Sequence, residues 1–211
     1  MNQTALITVS TPNTIPEAVK RALQVLAGGG LVAFPTDTVY GLGALAFDAQ
    51  GVDQLFMAKE RQAEKAIAVL LANPADLKQV TLDMPDSARI LAERFWPGPL
   101  TLVVSRHPNL PKNISPWPTI GVRMPDHPVA LALLQASGPL AVTSANLSGQ
   151  PSATNAQEVL RQLGVRVDLI IDGGETIGGV PSTVVDCTGP SLKILRTGPL
   201  SQSDLEQALL A

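Results

Sequence analysis

The chain has 211 residues, of which 45% are hydrophobic, so it is long enough to bury a sizeable core, most simply as one α/β domain. Its formal net charge of −3 argues against a general nucleic-acid coat, which is usually basic. The single cysteine, Cys187, excludes an internal disulfide, and no apolar run approaches the ~18 residues of a membrane span.

The cysteine usage and the N-terminal sequence indicate the cellular compartment. One cysteine in a chain of this length is typical of a reducing environment. The first ten residues, MNQTALITVS, lack the basic start and the cleavable apolar stretch of a secretion signal. We therefore expect a cytoplasmic protein with no membrane partner.

Apolar runs alternate with helically spaced apolar residues along the N-terminal half. A capping box at Thr14 to Glu17 is expected to begin a helix, which the glycines at 28–30 end. Residues 35–43 are rich in threonine and glycine and are expected to lack regular structure. Further helices are predicted over 51–59 and 86–95, and strands over 4–9, 31–34, 66–71 and 100–105.

The C-terminal half continues the alternation after a proline-rich stretch. Residues 108–118 cannot be helical and are predicted to form an ordered loop or a flap. Asp126 is expected to cap a helix that runs through Gln135. The remaining predicted elements are strands over 120–123, 140–143, 167–171, 183–186 and 192–195 and helices over 155–163 and 203–210. The whole pattern predicts α/β architecture with a twisted, mixed sheet of parallel and antiparallel strands, flanked by helices.

A basic segment, Lys59 to Lys65, is the most concentrated charge in the chain. Lys59, Arg61 and Lys65 fall within seven residues, although the whole chain has only 15 Lys and Arg. Arginine chelates phosphate oxygens with two donors and lysine adds a point charge, so this segment favours a phosphate ligand. A solvated helix end with surface ion pairs to Glu60 and Glu64 is the alternative.

Polar residues also follow two predicted strands, where ligands bind in α/β proteins. Thr36, Asp37, Thr38 and Tyr40 follow the strand over 31–34 and can hold a small polar ligand, or merely form a turn that closes the strand. The segment 143–152 follows another strand, and its hydroxyl, amide and backbone N–H groups suit a phosphate or nucleoside, or a loop with helix caps.

A glycine-rich segment, 173–183, and the later Arg196 form the last cluster. They are compatible with a lid and a further phosphate contact, or with a turn and a surface arginine. There is no Walker A sequence, and Gly28 to Gly30 precede a strand instead of following it. Two histidines and one cysteine make no zinc site, so no metal-binding residues are predicted.

Taken together, these motifs resemble those of the YrdC-like threonylcarbamoyl-AMP synthases. The resemblance runs from about residue 15 to 200 and rests on six motifs in order: PTDTVYGLG (35–43), KERQAEK (59–65), WPGPLTLV (96–103), GVRMPDHP (121–128), TSANLSGQPS (143–152) and PSTVVD (181–186). It implies one YrdC-like domain over residues 1–211, in the short form, with a large, concave, basic cavity over the sheet.

The resemblance also implies a nucleotidyltransferase reaction. L-threonine, bicarbonate and ATP would give threonylcarbamoyl-AMP and pyrophosphate, with Mg²⁺ bound through the triphosphate. A separate complex would then transfer the threonylcarbamoyl group to the adenosine beside the tRNA anticodon. Positioning and charge neutralisation are expected to dominate such chemistry.

The family motifs assign roles to particular residues of this sequence. The resemblance implies catalytic roles for Lys59, Arg61 and Ser144. It implies ATP binding by Lys59, Arg61, Lys65, Thr119, Asn146, Thr154 and Arg196. It implies threonine binding by Thr38, Arg123, Ser144 and Ser182, with Arg123 pairing with the carboxylate.

One position departs from the family pattern. Many members carry a histidine near the threonine pocket where this chain has Leu70. A paralogue that makes a different acyl adenylate is therefore one alternative. An RNA-binding module is another, with weak RNA contact possible, although scarce aromatics and negative net charge argue against RNA binding as the primary role.

Overall fold

Ten strands form one sheet in the part of the chain that the structure describes. The structure is a computed structural model, and it describes residues 4–60, 62 and 65–210. The strands are β1 (Ala5–Thr8), β2 (Val32–Phe34), β3 (Gly41–Leu45), β4 (Ala68–Leu70), β5 (Leu100–Ser105), β6 (Thr119–Arg123), β7 (Leu140–Ser144), β8 (Leu169–Asp172), β9 (Thr183–Asp186) and β10 (Lys193–Arg196). Their order across the sheet is β1-β8-β2-β3-β7-β4-β6-β5-β9-β10.

Neighbouring strands run in both directions, as the sequence predicts. Strands β1 and β2 pair in parallel with β8, as do β4 with β6 and β5 with β9. The pairs β2–β3, β3–β7, β4–β7, β5–β6 and β9–β10 are antiparallel. The predicted α/β fold with a mixed sheet is confirmed.

The helices follow the predicted segments closely. They are α1 (Ile15–Ala27), α2 (Ala49–Lys59), α3 (Leu77–Val80), α4 (Asp86–Phe95), α5 (Pro128–Ser137), α6 (Ala156–Leu163) and α7 (Gln202–Leu210). Only the four-residue α3 was not predicted, because it is too short to show helical periodicity. Within residues 4–60, 62 and 65–210, no helix is long and apolar enough to cross a bilayer.

These helices cover the two faces of the sheet unequally. On one face, α2, α4, α6 and α7 bury residues such as Leu55, Leu91 and Val159 against the apolar side chains of the strands, each worth roughly 2 kcal/mol. On the other face, α1 and α5 pack on β2, β7 and β8. Most of the second face over β6, β5 and β9 therefore has no helix above it, and this uncovered half holds the cavity described below.

The prediction that residues 35–43 lack regular structure is confirmed for 35–40 and was wrong for 41–43, because β3 begins at Gly41. A β-carbon on Gly41 would lie 2.8 Å from a methyl group of Val142, and one on Gly43 would lie 3.1 Å from the ring of Phe34. Glycine is therefore needed where β3 packs tightly in the sheet. Pairing with β2 and β7 on both sides outweighs the low strand propensity of glycine.

Two predicted helix caps were also wrong. The hydroxyl of Thr14 donates to the carbonyl of Thr11 at 2.8 Å, and α1 follows a 3₁₀ turn instead of a capping box with Glu17. At the start of α5, Nδ1 of His127 accepts the amide N–H of Val129 at 3.2 Å in place of Asp126. At α5 a neighbouring side chain thus replaces the predicted cap, whereas α1 begins without a side-chain cap hydrogen bond.

Candidate active site

A cavity of about 360 Å³ lies over the uncovered half of the sheet. Every second residue of the central strands faces it, as the strand period requires. The floor is made by Thr101 and Val103 of β5, Thr119, Gly121 and Arg123 of β6, and Ser182 and Val184 at β9. A β-carbon on Gly121 would come 3.1 Å from the methyl of Thr101, so a residue without a side chain fits best in the middle of the floor.

Arg123 is anchored at one end of the floor by three hydrogen bonds. Its Nε donates to the carbonyl of Gly98 at 3.0 Å, its Nη1 to Oγ1 of Thr38 at 3.0 Å, and its Nη2 to Oδ1 of Asp37 at 2.5 Å. Burial lowers the pKa of Arg123, while the charge of Asp37 opposes that shift. The guanidinium is thus held in a fixed orientation at the cavity.

A second arginine is held at the same cavity by Ser182. Both Nε and Nη2 of Arg196 donate to the carbonyl of Ser182, at 3.0 and 2.9 Å, and Nη2 also donates to its hydroxyl at 3.0 Å. That hydroxyl lies 2.8 Å from Oγ1 of Thr101. Burial lowers the pKa of Arg196. Among the described residues that line the cavity there are two arginines and no carboxylate. Asp37, outside that lining, offsets the charge of Arg123, so the charge of Arg196 makes the site suit an anion.

Lys59 lies behind the cavity wall, since only 1% of its surface is exposed. Its ammonium donates to the backbone carbonyls of Ser144 and Asn146. Its own carbonyl accepts the amide N–H of Ser148 at 3.0 Å. The end of α2 is thereby tied to residues 144–148 at the end of β7, so Lys59 links the two predicted nucleotide-binding segments.

The structure brings only part of the predicted site together. Of the predicted residues that it describes, six line the cavity: Thr38, Thr119, Arg123, Ser144, Ser182 and Arg196. Leu70, where the family pattern is broken, lines it too and pairs with Arg123 across β4 and β6. Arg61 lies outside the described residues.

Three other predicted residues lie away from the cavity wall. Lys65 is exposed, and its backbone N–H donates to the carbonyl of Gln62 at 3.2 Å. The amide nitrogen of Asn146 donates to the carbonyls of Leu147 and Gln150, while its buried Oδ1 has no hydrogen-bond partner within the described chain. The backbone N–H of Thr154 donates to a carboxylate oxygen of Glu158 at 2.8 Å.

Sequence reasoning gave no role to three residues at this site. Asp37 orients Arg123, and the sequence placed it in a polar cluster without naming its partner. Thr101 lines the cavity. The sequence feature that could have identified it is a hydroxyl residue on the same face as Val103 in the apolar strand LTLVVS. Trp117 also lines the cavity, and its signal is a lone large aromatic side chain in the proline-rich stretch.

Cys187 and His127 lie in environments that disfavour nucleophilic or metal-binding roles. Burial raises the pKa of the Cys187 thiol to about 12, so the thiolate form is disfavoured. Burial lowers the pKa of His127, whose Nδ1 is already used as a helix cap. Within the part of the chain that the structure describes, no three His, Cys, Asp or Glu side chains are grouped closely enough to hold a metal ion.

Several solved structures share this fold. Sua5 from Pyrococcus abyssi complexed with L-threonine has a TM-score of 0.91 and is 40% identical, and the match covers 98% of this chain and 60% of that one. YciO from Escherichia coli has a TM-score of 0.83 and is 26% identical, and the match covers 97% of this chain and all of that one.

Sequence comparison gives the same relationship. The Pyrococcus abyssi threonylcarbamoyl-AMP synthase is 42% identical over 90% of this chain, and the chain spans only 57% of its length. A Mycobacterium tuberculosis relative is 40% identical over 94% of this chain and 92% of its own. Residues 24–198 match the model of the Sua5/YciO/YrdC family, which is described as telomere recombination. The chain belongs to the Sua5/YciO/YrdC family.

Proposed function

We propose that this protein is a threonylcarbamoyl-AMP synthase, a nucleotidyltransferase that uses L-threonine, bicarbonate and ATP. The observation that carries the proposal is the anchored guanidinium of Arg123 in a cavity with many hydroxyl groups and no carboxylate among its described lining. The structure of Pyrococcus abyssi Sua5 with L-threonine supports it, since that protein shares the fold at 40% identity.

The Arg123 end of the cavity suits the threonine carboxylate. Three of the five guanidinium N–H groups are used by Gly98, Thr38 and Asp37, which leaves two donors for a bidentate contact. The hydroxyls of Thr38, Ser144 and Ser182 line the same cavity and supply hydrogen bonds for the substrate's amino and hydroxyl groups. Recognition of a hydroxyl in this way discriminates strongly against analogues that lack it.

ATP is proposed to occupy the rest of the cavity and the basic segment beside it. Arg61 and Lys65 would neutralise the triphosphate, whereas Lys59, whose ammonium donates to the carbonyls of Ser144 and Asn146, would bind ATP indirectly by positioning residues 144–148 beside it. The remaining nucleotide contacts carried over from the family are Thr119, Asn146, Thr154 and Arg196. Mg²⁺ would arrive with the triphosphate, because the described lining offers hydroxyls but no carboxylate cage for a resident ion.

The reaction needs positioning more than covalent help from the protein. Threonine nitrogen and bicarbonate form a carbamate and release water. A carbamate oxygen then attacks the α-phosphorus of ATP, and pyrophosphate leaves as the new P–O bond forms. Arg123 and Arg196 hold negative charge in place as it shifts, and their fixed hydrogen bonds limit reorganisation in the transition state.

Further parts of the proposal concern the cellular setting. We infer that residues 1–211 act as one YrdC-like domain in the cytoplasm. The product would pass to a separate complex, which transfers the threonylcarbamoyl group to the adenosine beside the tRNA anticodon.

A paralogue that makes a different acyl adenylate is the second candidate, and Leu70 favours it. This side chain lines the cavity, and Leu70 is the neighbour of Arg123 on the adjacent strand, since β4 pairs in parallel with β6. An apolar group there replaces the histidine expected from the family and changes the wall beside the proposed amino-acid pocket. The amino-acid panel described next separates the two candidates.

Pyrophosphate release from ATP tests the proposed function. We expect release from ATP when L-threonine and bicarbonate are both present, and replacing L-threonine with L-serine or L-valine should leave at most about a tenth of the rate. Omitting each substrate in turn gives the baseline, and Arg123→Met provides a variant without the carboxylate contact. Equal rates with all three amino acids, or release without any amino acid, would refute the proposed substrate.

A further inference from the structure

The two ends of the cavity floor differ in chemistry. Arg123 and its partners form the polar end, whereas Trp117 and Ala66 line the cavity toward the other end of β6, which begins at Thr119. Thr119 and Arg123 are four residues apart on that strand, a separation of about 13 Å. The cavity is therefore long enough to hold an amino acid at one end and a flat ring system at the other.

Trp117 is the aromatic group available at the apolar end. Its side chain lines the cavity, yet 60% of the residue surface is exposed, so a large part of the indole is not packed against protein. Tyr40, the other aromatic residue in the described lining, is fully buried, and its hydroxyl donates to the carbonyl of Gly174 at 2.7 Å. Trp117 is thus placed to contact a ligand with its ring face.

The loop that carries Trp117 is held in place by hydrogen bonds. Nη1 of Arg106 donates to the carbonyls of Pro111 and Ser115, both at 3.3 Å, and the backbone N–H of Arg106 donates to the carbonyl of Pro118 at 2.8 Å. The backbone N–H of Trp117 itself donates to the hydroxyl of Ser115, a buried residue, at 3.2 Å. Such a loop presents the indole with little ordering cost when a ligand binds.

We propose that Trp117 is the platform on which the adenine ring of ATP stacks, an inference that rests on the proposed function. Stacking on an aromatic side chain needs only the π-face of the base, so it complements the phosphate contacts of the basic segment. Gly121 lies between Trp117 and Arg123 along the floor, and it carries no side chain that would stand between the two ends of the cavity.

Binding measurements with two probes separate the base from the phosphates. Isothermal titration of ATP and of inorganic tripolyphosphate is compared for the wild type, Trp117→Ala and Trp117→Phe. We expect Trp117→Ala to weaken ATP binding at least about tenfold, or ~1.4 kcal/mol, while tripolyphosphate binding changes less than about twofold. Trp117→Phe retains a ring face and should stay within about threefold of the wild type for ATP.

Fluorescence gives an independent readout, because the chain has two tryptophans. The indole N–H of Trp96 donates to the carbonyl of Leu100 at 2.7 Å and this side chain packs against the core, so Trp117 should report on the cavity. We expect ATP to quench the emission of the wild type and to leave that of Trp117→Phe unchanged. Tripolyphosphate should quench neither protein.

The possible outcomes distinguish this inference from the proposed function. If the wild type does not bind ATP, the proposed function fails and the stacking role falls with it. If the wild type and Trp117→Ala bind ATP equally, only the stacking role is refuted, and contact with RNA or a protein partner becomes the better explanation of the exposed indole. An equal loss of ATP and tripolyphosphate binding would also refute stacking, since it would show a change in the loop as a whole.

Discussion

The ion pair between Asp37 and Arg123 should be strongly coupled in the folded protein. Asp37→Asn removes the negative charge with little change in shape, and Arg123→Met removes the positive charge while retaining an apolar side chain. The two side chains are only 15% and 7% exposed, and Nη2 lies 2.5 Å from Oδ1. Solvent therefore screens this pair much less than a surface salt bridge.

The magnitude follows from the remaining contacts of each partner. Loss of one member of a buried pair costs about 3–5 kcal/mol. Arg123 keeps its bonds to Gly98 and Thr38 in the Asp37→Asn variant, so we expect the lower end, about 3 kcal/mol. In Arg123→Met, Asp37 keeps only the backbone N–H of Asp126, at 3.0 Å, and we expect a similar loss.

A double-mutant cycle measures the coupling. Urea unfolding followed by circular dichroism gives the free energy of unfolding for the wild type, both single variants and the double variant. We expect the double variant to lose about 3 kcal/mol instead of about 6, a coupling of about 3 kcal/mol. Additivity to within about 0.5 kcal/mol would show that the pair is not coupled and would refute the reasoning.

Three further predictions concern residues around the site. Burial lowers the pKa of His127, so near and below pH ~6.5 the unfolded state binds more protons than the folded state. The wild type should therefore lose more free energy of unfolding between about pH 7.5 and 5.5 than His127→Asn, a variant that keeps a helix-capping side chain. Equal losses in urea unfolding would contradict this. Gly198→Ala places a methyl 2.6 Å from the carbonyl oxygen of Pro181 and should lower the melting temperature by roughly 5 °C or more. In the control variant Gly189→Ala, the nearest atom to the new methyl is the carbonyl oxygen of Ser191 at 3.7 Å, so the melting temperature should not fall in this way. Lys59→Met should reduce pyrophosphate release at least about tenfold, because the backbone segment 144–148 loses its anchor; an unchanged rate would remove Lys59 from the nucleotide site.

Most of the fold could be predicted from the sequence because its apolar patterns are regular. The helix over 86–95 and the strands over 100–105 and 183–186 have the predicted bounds. β3 could not be predicted in the same way, because its first and third residues are glycines whose strand conformation depends on the neighbours β2 and β7. Tertiary pairing, which local sequence does not encode, decides its structure.

Six of the predicted site residues line the cavity, but their contacts could not be predicted from the sequence. Asp37 and Arg123 are 86 positions apart, and only the sheet order brings them together. The sequence also showed that Lys59 belongs to a basic segment. The sequence could not show that the ammonium donates to backbone carbonyls, because a phosphate ligand and a carbonyl oxygen can both accept its hydrogen bonds.

Because one half of the sheet has no helix on its second face, the residues that face the cavity are different from the residues that pack the core. The strands under the cavity bury Leu102, Val122 and Val185 on their far face, while Thr101, Gly121 and Val184 face the cavity. Substitutions at the cavity-facing positions leave the packed layer beneath them intact. What the cavity binds can therefore change through single replacements, without compensating changes in the core.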